Sequence, residues 1–298
     1  MPSYICLDAR DGDIERKLLS GVCSVEMLGA TSAKELDDAV LSQADVVAVW
    51  HTIRLDAKLL ARMERARLIV RMGVGFDNVD TAAAGALGIP VSNIPDYGTE
   101  EVADSAFCMI LGLFRGTLSG VERLGRGESM RGADAIAAAV PYIRRVRGST
   151  LGLVGLGRIG SAVALRAKAC GFEVVFYDPY VADGAEKALG IARARSLPEL
   201  LGASHCVSLH CNAVSAGADP AASHSAPENY MDGAALASMR PGALLVNTAR
   251  GELVDEAALA AALRSGHIAA VALDVHWSEP CAEISAVDFK EDRRGPYS

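Results

Sequence analysis

The stretch LGLVGLGRIGSAVALRAKACGFEVVFYD, residues 151–178, decides the fold. It predicts an apolar strand at 151–154, a helix at 159–170 and a second strand at 174–177. Between the first strand and the helix, Gly155, Gly157 and Gly160 have GxGxxG spacing, and Asp178 follows the second strand. Strand, glycine turn, helix, strand and acid in this order predict a βαβ unit that binds a dinucleotide.

Each glycine of this unit has its own physical reason. Gly155 permits a tight turn, Gly157 lets the backbone approach a pyrophosphate, and Gly160 lets the helix pack closely. Helix N–H groups then bind the phosphates. The alternative interpretation is a glycine-rich turn that binds nothing.

Three further residues complete the predicted cofactor set of this unit. Asp178, which lies 23 residues after Gly155, is expected to accept hydrogen bonds from the adenosine ribose and to repel a 2′-phosphate. This favours NAD(H) over NADP(H). Arg158 and Ile159 open the helix, and we expect Arg158 near the pyrophosphate, with a solvated surface arginine as the alternative.

Composition bounds the class of protein. With 298 residues, 51% hydrophobic and 22% charged, the chain is long enough for two α/β domains with buried cores. A net charge of -8 argues against direct binding of nucleic acid. Seven scattered cysteines without a CxxC pair predict reduced thiols and no metal site. The first residues do not resemble a secretory signal, and the longest apolar run, 107–114, is too short to cross a membrane. We therefore expect a soluble, intracellular protein.

The first hundred residues alternate short β-branched runs with amphipathic stretches, which predicts a small doubly wound α/β domain. Ser32 and Glu35 form a predicted capping box for a helix that ends near Ser42, and Asp56 is expected to cap a helix that runs to about Arg65. The predicted strands are 4–7, 22–27, 45–49 and 68–70.

Beyond residue 98 the sequence predicts one long helix at 100–124 and a linker or intersubunit arm at 126–147. After the βαβ unit, Ser196 and Glu199 form a second capping box, and a helix at 255–264 ends before Gly266. Residues 213–233 are predicted to be a loose surface insertion. The remaining predicted strands are 206–209, 243–246 and 270–273.

Three segments carry a resemblance to a known family: residues 147–190, LLVNTARGELVDEAAL at 244–259 and ALDVHWSEP at 272–280. With them the chain resembles the D-isomer-specific 2-hydroxyacid dehydrogenases. Within that family it is similar to the C-terminal binding proteins, a branch of transcriptional corepressors, because of FYDPY at 176–180, ALRAKACGF at 164–172, LHC at 209–211, HTI at 51–53 and VRMGVGFDNVD at 70–80. The resemblance covers about residues 4–280 and is interrupted after Asn212.

The resemblance implies a flavodoxin-like substrate domain over residues 1–98, a Rossmann-type NAD-binding domain over 99–281 and a disordered tail over 282–298. It also implies hydride transfer between a D-2-hydroxy acid and NAD, a homodimer, and a location in the nucleus, the cytoplasm or both. For the corepressor branch it implies short peptide motifs of transcription factors as partners.

The resemblance also assigns site residues. Arg250 matches the arginine that binds the substrate carboxylate, and Glu279 matches the glutamate that orients the catalytic histidine. Gly75, with Val74, matches a turn whose N–H groups hold the carboxylate; a glycine needed only for the turn is the simpler alternative. Four residues match positions at the nicotinamide pocket, with ordinary packing as the alternative: Thr248, Asp274, Cys211 and Val102.

The family's general acid/base is a histidine downstream of that glutamate, in a segment preceded by proline. Residues 281–298 contain no histidine, so we expect turnover to be impaired, by roughly 10²–10⁴-fold from this loss alone. His276, the histidine nearest to Glu279 in sequence, is the substitute to consider. The alternative function is an NAD(H)-sensing corepressor that docks peptides, because that role needs no acid/base histidine.

Overall fold

The computed structural model describes residues 1–128, 131–132, 142–214 and 225–277. The chain divides into two compact units, Met1–Gly98 and Thr99–Ser298, called unit 1 and unit 2 below. Each unit contains one parallel sheet flanked by helices, as an α/β protein requires. The predicted tail at 282–298 lies outside the described residues.

Unit 1 has a five-stranded parallel sheet with the order β2-β1-β3-β4-β5. This order is that of flavodoxin-like folds. The strands are β1 Ser3–Cys6, β2 Ser24–Met27, β3 Val46–Val49, β4 Leu68–Arg71 and β5 Val91–Asn93. The helices are α1 Asp13–Leu18, α2 Asp38–Leu41, α3 Ala57–Leu60 and α4 Thr81–Ala86, with a 3₁₀ turn at Ala33–Glu35.

Unit 2 has a six-stranded parallel sheet with the order β11-β10-β9-β6-β7-β8, the order of a Rossmann fold. The strands are β6 Thr150–Val154, β7 Glu173–Tyr177, β8 Ala192–Arg193, β9 Cys206–Leu209, β10 Ala243–Asn247 and β11 Ile268–Leu273. The helices are α5 Thr99–Arg115, α6 Thr117–Gly125, α7 Arg158–Ala169, α8 Ala185–Leu189, α9 Leu197–Ala203, α10 Gly233–Ser238 and α11 Glu256–Arg264.

The central strands of unit 2 are buried on both faces, which explains their continuous apolar sequence. All four residues of β9 and all five of β10 are buried. Helix α5 covers one face with Ala103, Ala106 and Ile110, which join the same apolar cluster as Leu151 of β6. The buried central strands therefore fix the positions at which the loops at their carboxyl ends begin.

The predicted single helix at 100–124 is wrong. The chain forms α5 and α6, and Gly116 between them adopts a left-handed φ of 60°. A residue in this conformation cannot continue a right-handed helix. The apolar pattern runs through the break and therefore did not reveal it. Part of the predicted arm at 126–147 lies outside the described residues.

The capping box predicted at Ser32 is also wrong. Ser32 makes no side-chain cap, and Glu35 instead accepts hydrogen bonds from the Thr31 amide, at 2.9 Å, and from its hydroxyl, at 2.7 Å. Asp37 caps the short helix α2 that follows. Asp56 does cap α3, through Leu59 N at 2.8 Å, but that helix already ends at Leu60.

The described ends of the 213–233 insertion, residues 213–214 and 225–233, are held by backbone hydrogen bonds, so the prediction of a loose loop is wrong for these residues. Ala226 N donates to Asn212 O at 2.7 Å and Val214 N donates to Ala226 O at 3.0 Å. Met231 is fully buried. Residues 215–224 lie outside the described residues.

In the part of the chain that the structure describes, no single helix is long and apolar enough to cross a bilayer. One pair of helices reaches that length and hydropathy only when its two members are counted together. The pair is Thr99–Arg115 and Ser119–Gly125, with a bend of 65° at the junction.

Candidate active site

The glycine turn after β6 has a geometry that requires glycine at two of its three glycine positions. Gly155 has a φ of 94°, and a Cβ atom there would lie 2.8 Å from the backbone of His210 and Cys211. A Cβ atom at Gly160 would collide with the Gly155 carbonyl oxygen. A Cβ atom at Gly157, in contrast, would meet nothing within 4 Å. Packing therefore requires Gly155 and Gly160, whereas Gly157 leaves open space where a ligand's pyrophosphate can approach.

Helix α7 begins directly after this turn. Its N-cap residue is Gly157, which has no side chain to satisfy the first N–H groups. Those groups and the helix dipole favour an anion at this end. Arg158 is exposed and Ile159 is half-buried in the first turn of the helix. The turn thus fits the phosphates of a dinucleotide.

Asp178 ties the end of β7 to the glycine turn. One carboxylate oxygen accepts a hydrogen bond from Leu156 N at 2.9 Å; the other accepts from Tyr180 N at 2.9 Å and Val181 N at 3.3 Å. Each carboxylate oxygen has two lone pairs, so the oxygen bound to Leu156 keeps the capacity to accept from a ribose hydroxyl.

A groove that is partly open to solvent lies at the carboxyl ends of β6, β7 and β9. Ligands of doubly wound sheets bind at this place, where the strand order reverses. Four predicted residues line it: Gly155, Gly157, Asp178 and Cys211. The other lining residues were not predicted from the sequence: Val154, Tyr177, Pro179, Tyr180, His210, Asn212, Ser225, Ala226, Pro227 and Tyr230.

His210 and Cys211 stand at the end of β9 in this groove. The His210 Nε2 atom lies 2.9 Å from Ser208 Oγ, and Nδ1 is buried without a partner among the described residues. Burial lowers the pKa of His210 to about 4, so the imidazole is neutral at pH 7. Burial raises the pKa of the Cys211 thiol to about 12, which keeps this cysteine protonated and unreactive.

Arg250 and Thr248 follow β10 at the same edge of the sheet, because all strands of unit 2 are parallel. Buried Asn247 shapes this turn: its Nδ2 donates to Arg250 O at 2.8 Å, and its Oδ1 accepts from Ala249 N at 3.0 Å. Thr248 is almost fully buried, and its hydroxyl lacks a hydrogen-bond partner among the described residues. Asp274, exposed after β11, donates its N–H to Asn247 O at 3.0 Å.

The structure does not bring every predicted residue into the groove. Arg250, Thr248, Asp274 and Val102, which is half-buried in α5, are not part of its lining. Glu279 lies outside the described residues. His276 is half-buried, and its Nδ1 is buried without a partner in the described ranges.

In unit 1 the turn after β4 holds Val74 and Gly75. Asn93 Nδ2 donates to Val74 O at 2.7 Å, and Ile94 N donates to Gly73 O at 3.1 Å. The carbonyls of this turn are therefore held by the segment at the end of β5. Arg71, the last residue of β4, packs its guanidinium against Gly73, and it was not predicted from the sequence.

The family model of the D-isomer specific 2-hydroxyacid dehydrogenase NAD binding domain matches residues 107–291. The chain is 37% identical over 275 residues to C-terminal-binding protein 1 of Caenorhabditis elegans, covering 92% of this chain and 36% of that protein. It is 38% identical over 259 residues to D-3-phosphoglycerate dehydrogenase of Mycobacterium leprae, covering 85% and 44%. The chain therefore spans less than half the length of these curated relatives.

Solved structures show the same fold. D-lactate dehydrogenase of Aquifex aeolicus, complexed with NAD and lactic acid, is 28% identical with a TM-score of 0.79, covering 97% of this chain and 81% of that one. A glyoxylate reductase from Paecilomyes thermophila is 25% identical with a TM-score of 0.81, covering 99% and 87%. Together with the glycine turn and the match over 107–291, these similarities show that the chain belongs to the D-isomer-specific 2-hydroxyacid dehydrogenase family and carries its NAD-binding domain.

Proposed function

We propose that this protein is an NAD(H)-dependent oxidoreductase that acts on CH–OH groups and interconverts a D-2-hydroxy acid and a 2-oxo acid. One observation carries the proposal: Gly155, Asp178, Cys211 and Arg250 follow four adjacent parallel strands and stand at one edge of one sheet. The glycine turn at Gly155 can bind the cofactor, and the guanidinium of Arg250 can bind a carboxylate. Because both lie at the same edge of the sheet, they support a reaction between NAD(H) and an organic acid.

The proposed roles follow from the side chains. Arg250 binds the substrate carboxylate with its planar guanidinium and polarises the 2-oxo group. In unit 1, the turn at Val74 and Gly75 keeps its predicted role as a carboxylate-binding turn. Glu279 is proposed to orient an acid/base imidazole and raise its basicity. His276 is the substitute considered for that imidazole, because residues 281–298 contain no histidine, and turnover is expected to be impaired. Bound nicotinamide would supply or accept the hydride.

Thr248 and Asp274 are proposed to flank the nicotinamide. The buried Thr248 hydroxyl without a described partner supports this role, because a buried polar atom is expected to find a hydrogen bond. Val102 keeps its proposed place at the rim of the same pocket. The homodimer and the nuclear or cytoplasmic location also stay predictions.

The test compares Arg250→Ala with Arg240→Ala, which precedes the same strand at its opposite end. NADH oxidation is followed with glyoxylate, pyruvate and a bulkier 2-oxo acid, and binding of each acid to the NADH complex is measured by fluorescence. We expect Arg250→Ala to lose roughly 10–100-fold in kcat/KM and in acid binding, the value of a bidentate charged contact. Arg240→Ala should behave like the wild type. Equal rates and affinities in all three proteins would exclude this role of Arg250.

A second candidate function is an NAD(H)-sensing transcriptional corepressor that docks short peptides on unit 1. Strand β2 is an edge strand, so one side of its backbone is open to an added strand. Beside it Ile14 and Leu18, one helical turn apart on α1, are 72% and 73% exposed, and Val22 is 63% exposed. A free strand edge beside exposed apolar side chains favours an extended peptide with apolar residues.

This candidate is tested by titrating labelled corepressor-recruiting peptides into the protein, with and without NADH. Leu18→Asp should abolish binding, whereas Leu87→Asp, at another exposed position of unit 1, should preserve it. Wild-type protein that binds no such peptide would count against the corepressor role and leave the oxidoreductase proposal intact.

A further inference from the structure

Two loops of unit 2 lie against each other after β10 and β11. Asp274 N donates to Asn247 O at 3.0 Å, where the two strands end. Further along, a Cβ atom at Gly251 would lie 2.4 Å from the His276 carbonyl oxygen and 2.7 Å from Trp277 N. Gly251 is not among the described glycines with positive φ. The close approach of the second loop therefore requires glycine here, and the backbone conformation does not.

The first loop is a compact turn that begins at Arg250. Leu253 N donates to Arg250 O at 3.3 Å and Val254 N donates to Gly251 O at 3.1 Å, which closes a short 3₁₀ turn. The side chains of Leu253 and Val254 are fully buried in a core cluster of the unit. Arg250 and the Val254 carbonyl are therefore the two ends of one short, anchored turn.

Trp277 ties the second loop to the far end of this turn. Its indole Nε1 donates a hydrogen bond to Val254 O. Its half-buried ring packs against the cluster that contains Leu253 and Val254. An indole N–H can only donate, so it needs an acceptor when it leaves water. Because Trp277 directly follows His276, this hydrogen bond fixes where the His276 backbone lies against Gly251.

We propose that Trp277 is a positioning residue, which holds the segment that carries His276 against the turn that carries Arg250. The proposal rests on the oxidoreductase function proposed above, in which Arg250 binds the substrate carboxylate and His276 is considered for the acid/base imidazole. Two such groups act on one bound acid only at a fixed separation, because a displacement of about 1 Å is costly to the rate. Trp277 is not part of the lining of the cofactor groove, so its effect should spare the cofactor.

The test compares Trp277→Phe, which removes the N–H and keeps an aromatic ring, with His267→Phe. His267 is the matched control, because its ring Nε2 lies 3.2 Å from a backbone carbonyl, Leu236 O, at the opposite end of β11. Calorimetry measures binding of NADH, and then binding of oxamate to the NADH complex. Oxamate is an analogue of a 2-oxo acid that NADH does not reduce. Oxidation of NADH by glyoxylate gives kcat and KM.

We expect Trp277→Phe to raise the Kd of oxamate and to lower kcat/KM for glyoxylate, each about 3–10-fold, the value of one hydrogen bond. The Kd of NADH should not change. His267→Phe should match the wild type in all three measurements. Melting of the ligand-free proteins shows whether either variant is unfolded.

A spectroscopic measurement on the unsubstituted chain separates positioning from a purely structural role. The chain has two tryptophans, Trp50 and Trp277, so labelling with 5-fluorotryptophan gives two fluorine signals, and Trp277→Phe identifies one of them. We expect the Trp277 signal of the NADH complex to shift when oxamate binds, because the turn that begins at Arg250 ends at the acceptor of the indole. In Arg250→Ala the same oxamate concentration should shift this signal much less.

Unchanged oxamate binding by folded Trp277→Phe would overturn the positioning role and leave the proposed function intact. An equal loss in His267→Phe, or an equal loss of NADH binding in Trp277→Phe, would overturn it too. A Trp277 fluorine signal that does not respond to oxamate would overturn it whether or not Trp277→Phe folds. A wild-type NADH complex that neither binds oxamate nor reduces glyoxylate would overturn the proposed function, and this role with it.

Discussion

The carboxylate of Asp178 has two functions. It accepts hydrogen bonds from three backbone N–H groups, and it lines the cofactor groove. We predict that Asp178→Asn, which removes the charge and keeps the size, weakens NADH binding and strengthens NADPH binding. The ratio of the two Kd values should shift roughly 10–100-fold, because the repulsion of a 2′-phosphate is lost. Calorimetry with both cofactors measures it.

Asp183→Asn provides the control for this change. Asp183 lies in the same loop and is exposed, and its carboxylate is 3.8 Å from Arg195. It should keep the wild-type preference. A cofactor preference that is identical in the wild type and Asp178→Asn would show that the carboxylate does not select between the cofactors.

His210 makes folding stability depend on pH. Its pKa is about 4 in the folded protein, because of burial, against about 6.5 when unfolded. Between these values the unfolded chain binds a proton that the folded chain does not, so stability is full above about pH 6.5 and falls as the pH drops toward 4. We predict that His210→Gln flattens this slope in urea unfolding between pH 4 and 6.5.

His205 is the comparison for this prediction. Its pKa is also lowered, by burial and by Arg240 and Arg144, so it contributes in the same direction. His205→Gln should flatten the slope less than His210→Gln does, because only His210 is shifted to about 4. A slope unchanged by His210→Gln would mean that its imidazole is not desolvated in the folded protein.

At the scale of the element, the glycines of the turn have different purposes. Gly155 is needed for folding stability, whereas Gly157 is needed for cofactor binding. A Cβ atom at Gly155 would press on the backbone of His210 and Cys211 at a φ of 94°, so we predict that Gly155→Ala destabilises the protein by about 2–4 kcal/mol. Gly157→Ala should unfold at the wild-type urea concentration, because its Cβ atom meets nothing, yet lose most NADH affinity.

Gly202→Ala is the control for the turn. Gly202 lies inside α9, where a Cβ atom would approach only Ser238 O, at 3.9 Å, so alanine should stabilise the helix slightly and leave NADH binding unchanged. Wild-type NADH affinity in Gly157→Ala would contradict the proposed approach of the pyrophosphate to this turn.

The elements that sequence could predict are those with strong local signals. The strands of unit 2 that carry apolar runs, such as β9 and β10, begin and end within one residue of the predicted bounds. Helices α1 and α4 were missed because α1 buries no residue and α4 buries only Ala84. Without a buried stripe, a helix of six residues leaves no period to detect.

The groove shows a different limit. Asp178 and the glycines could be predicted because one βαβ unit contains them all. Tyr177 and Tyr230 are 53 positions apart in the sequence. Both line the groove, where the backbone pairing of residues 229 and 231 with residues 252 and 253 holds Tyr230. That pairing depends on tertiary structure and has no local sequence signal, so Tyr230 could not be predicted as a groove residue from the sequence.

For the whole molecule, the two units have separate cores. Ile5, Val47 and Ile69 belong to the core of unit 1, whereas Leu151 and Leu244 belong to a core of unit 2. The groove is built from unit 2 residues alone. NADH should therefore stabilise unit 2 directly, by about 2.7 kcal/mol at a concentration of 100 times its Kd.

Hydrogen exchange with and without NADH measures this effect unit by unit. We predict that the slowest amides of β6, β9 and β10 exchange about 100-fold more slowly with saturating NADH, because they exchange through unfolding of the unit that binds the ligand. Amides of β1 and β3 should keep their rates, and in Gly157→Ala neither set should respond. Equal protection of both units in the wild type would contradict the prediction, since it would mean that the units unfold as one.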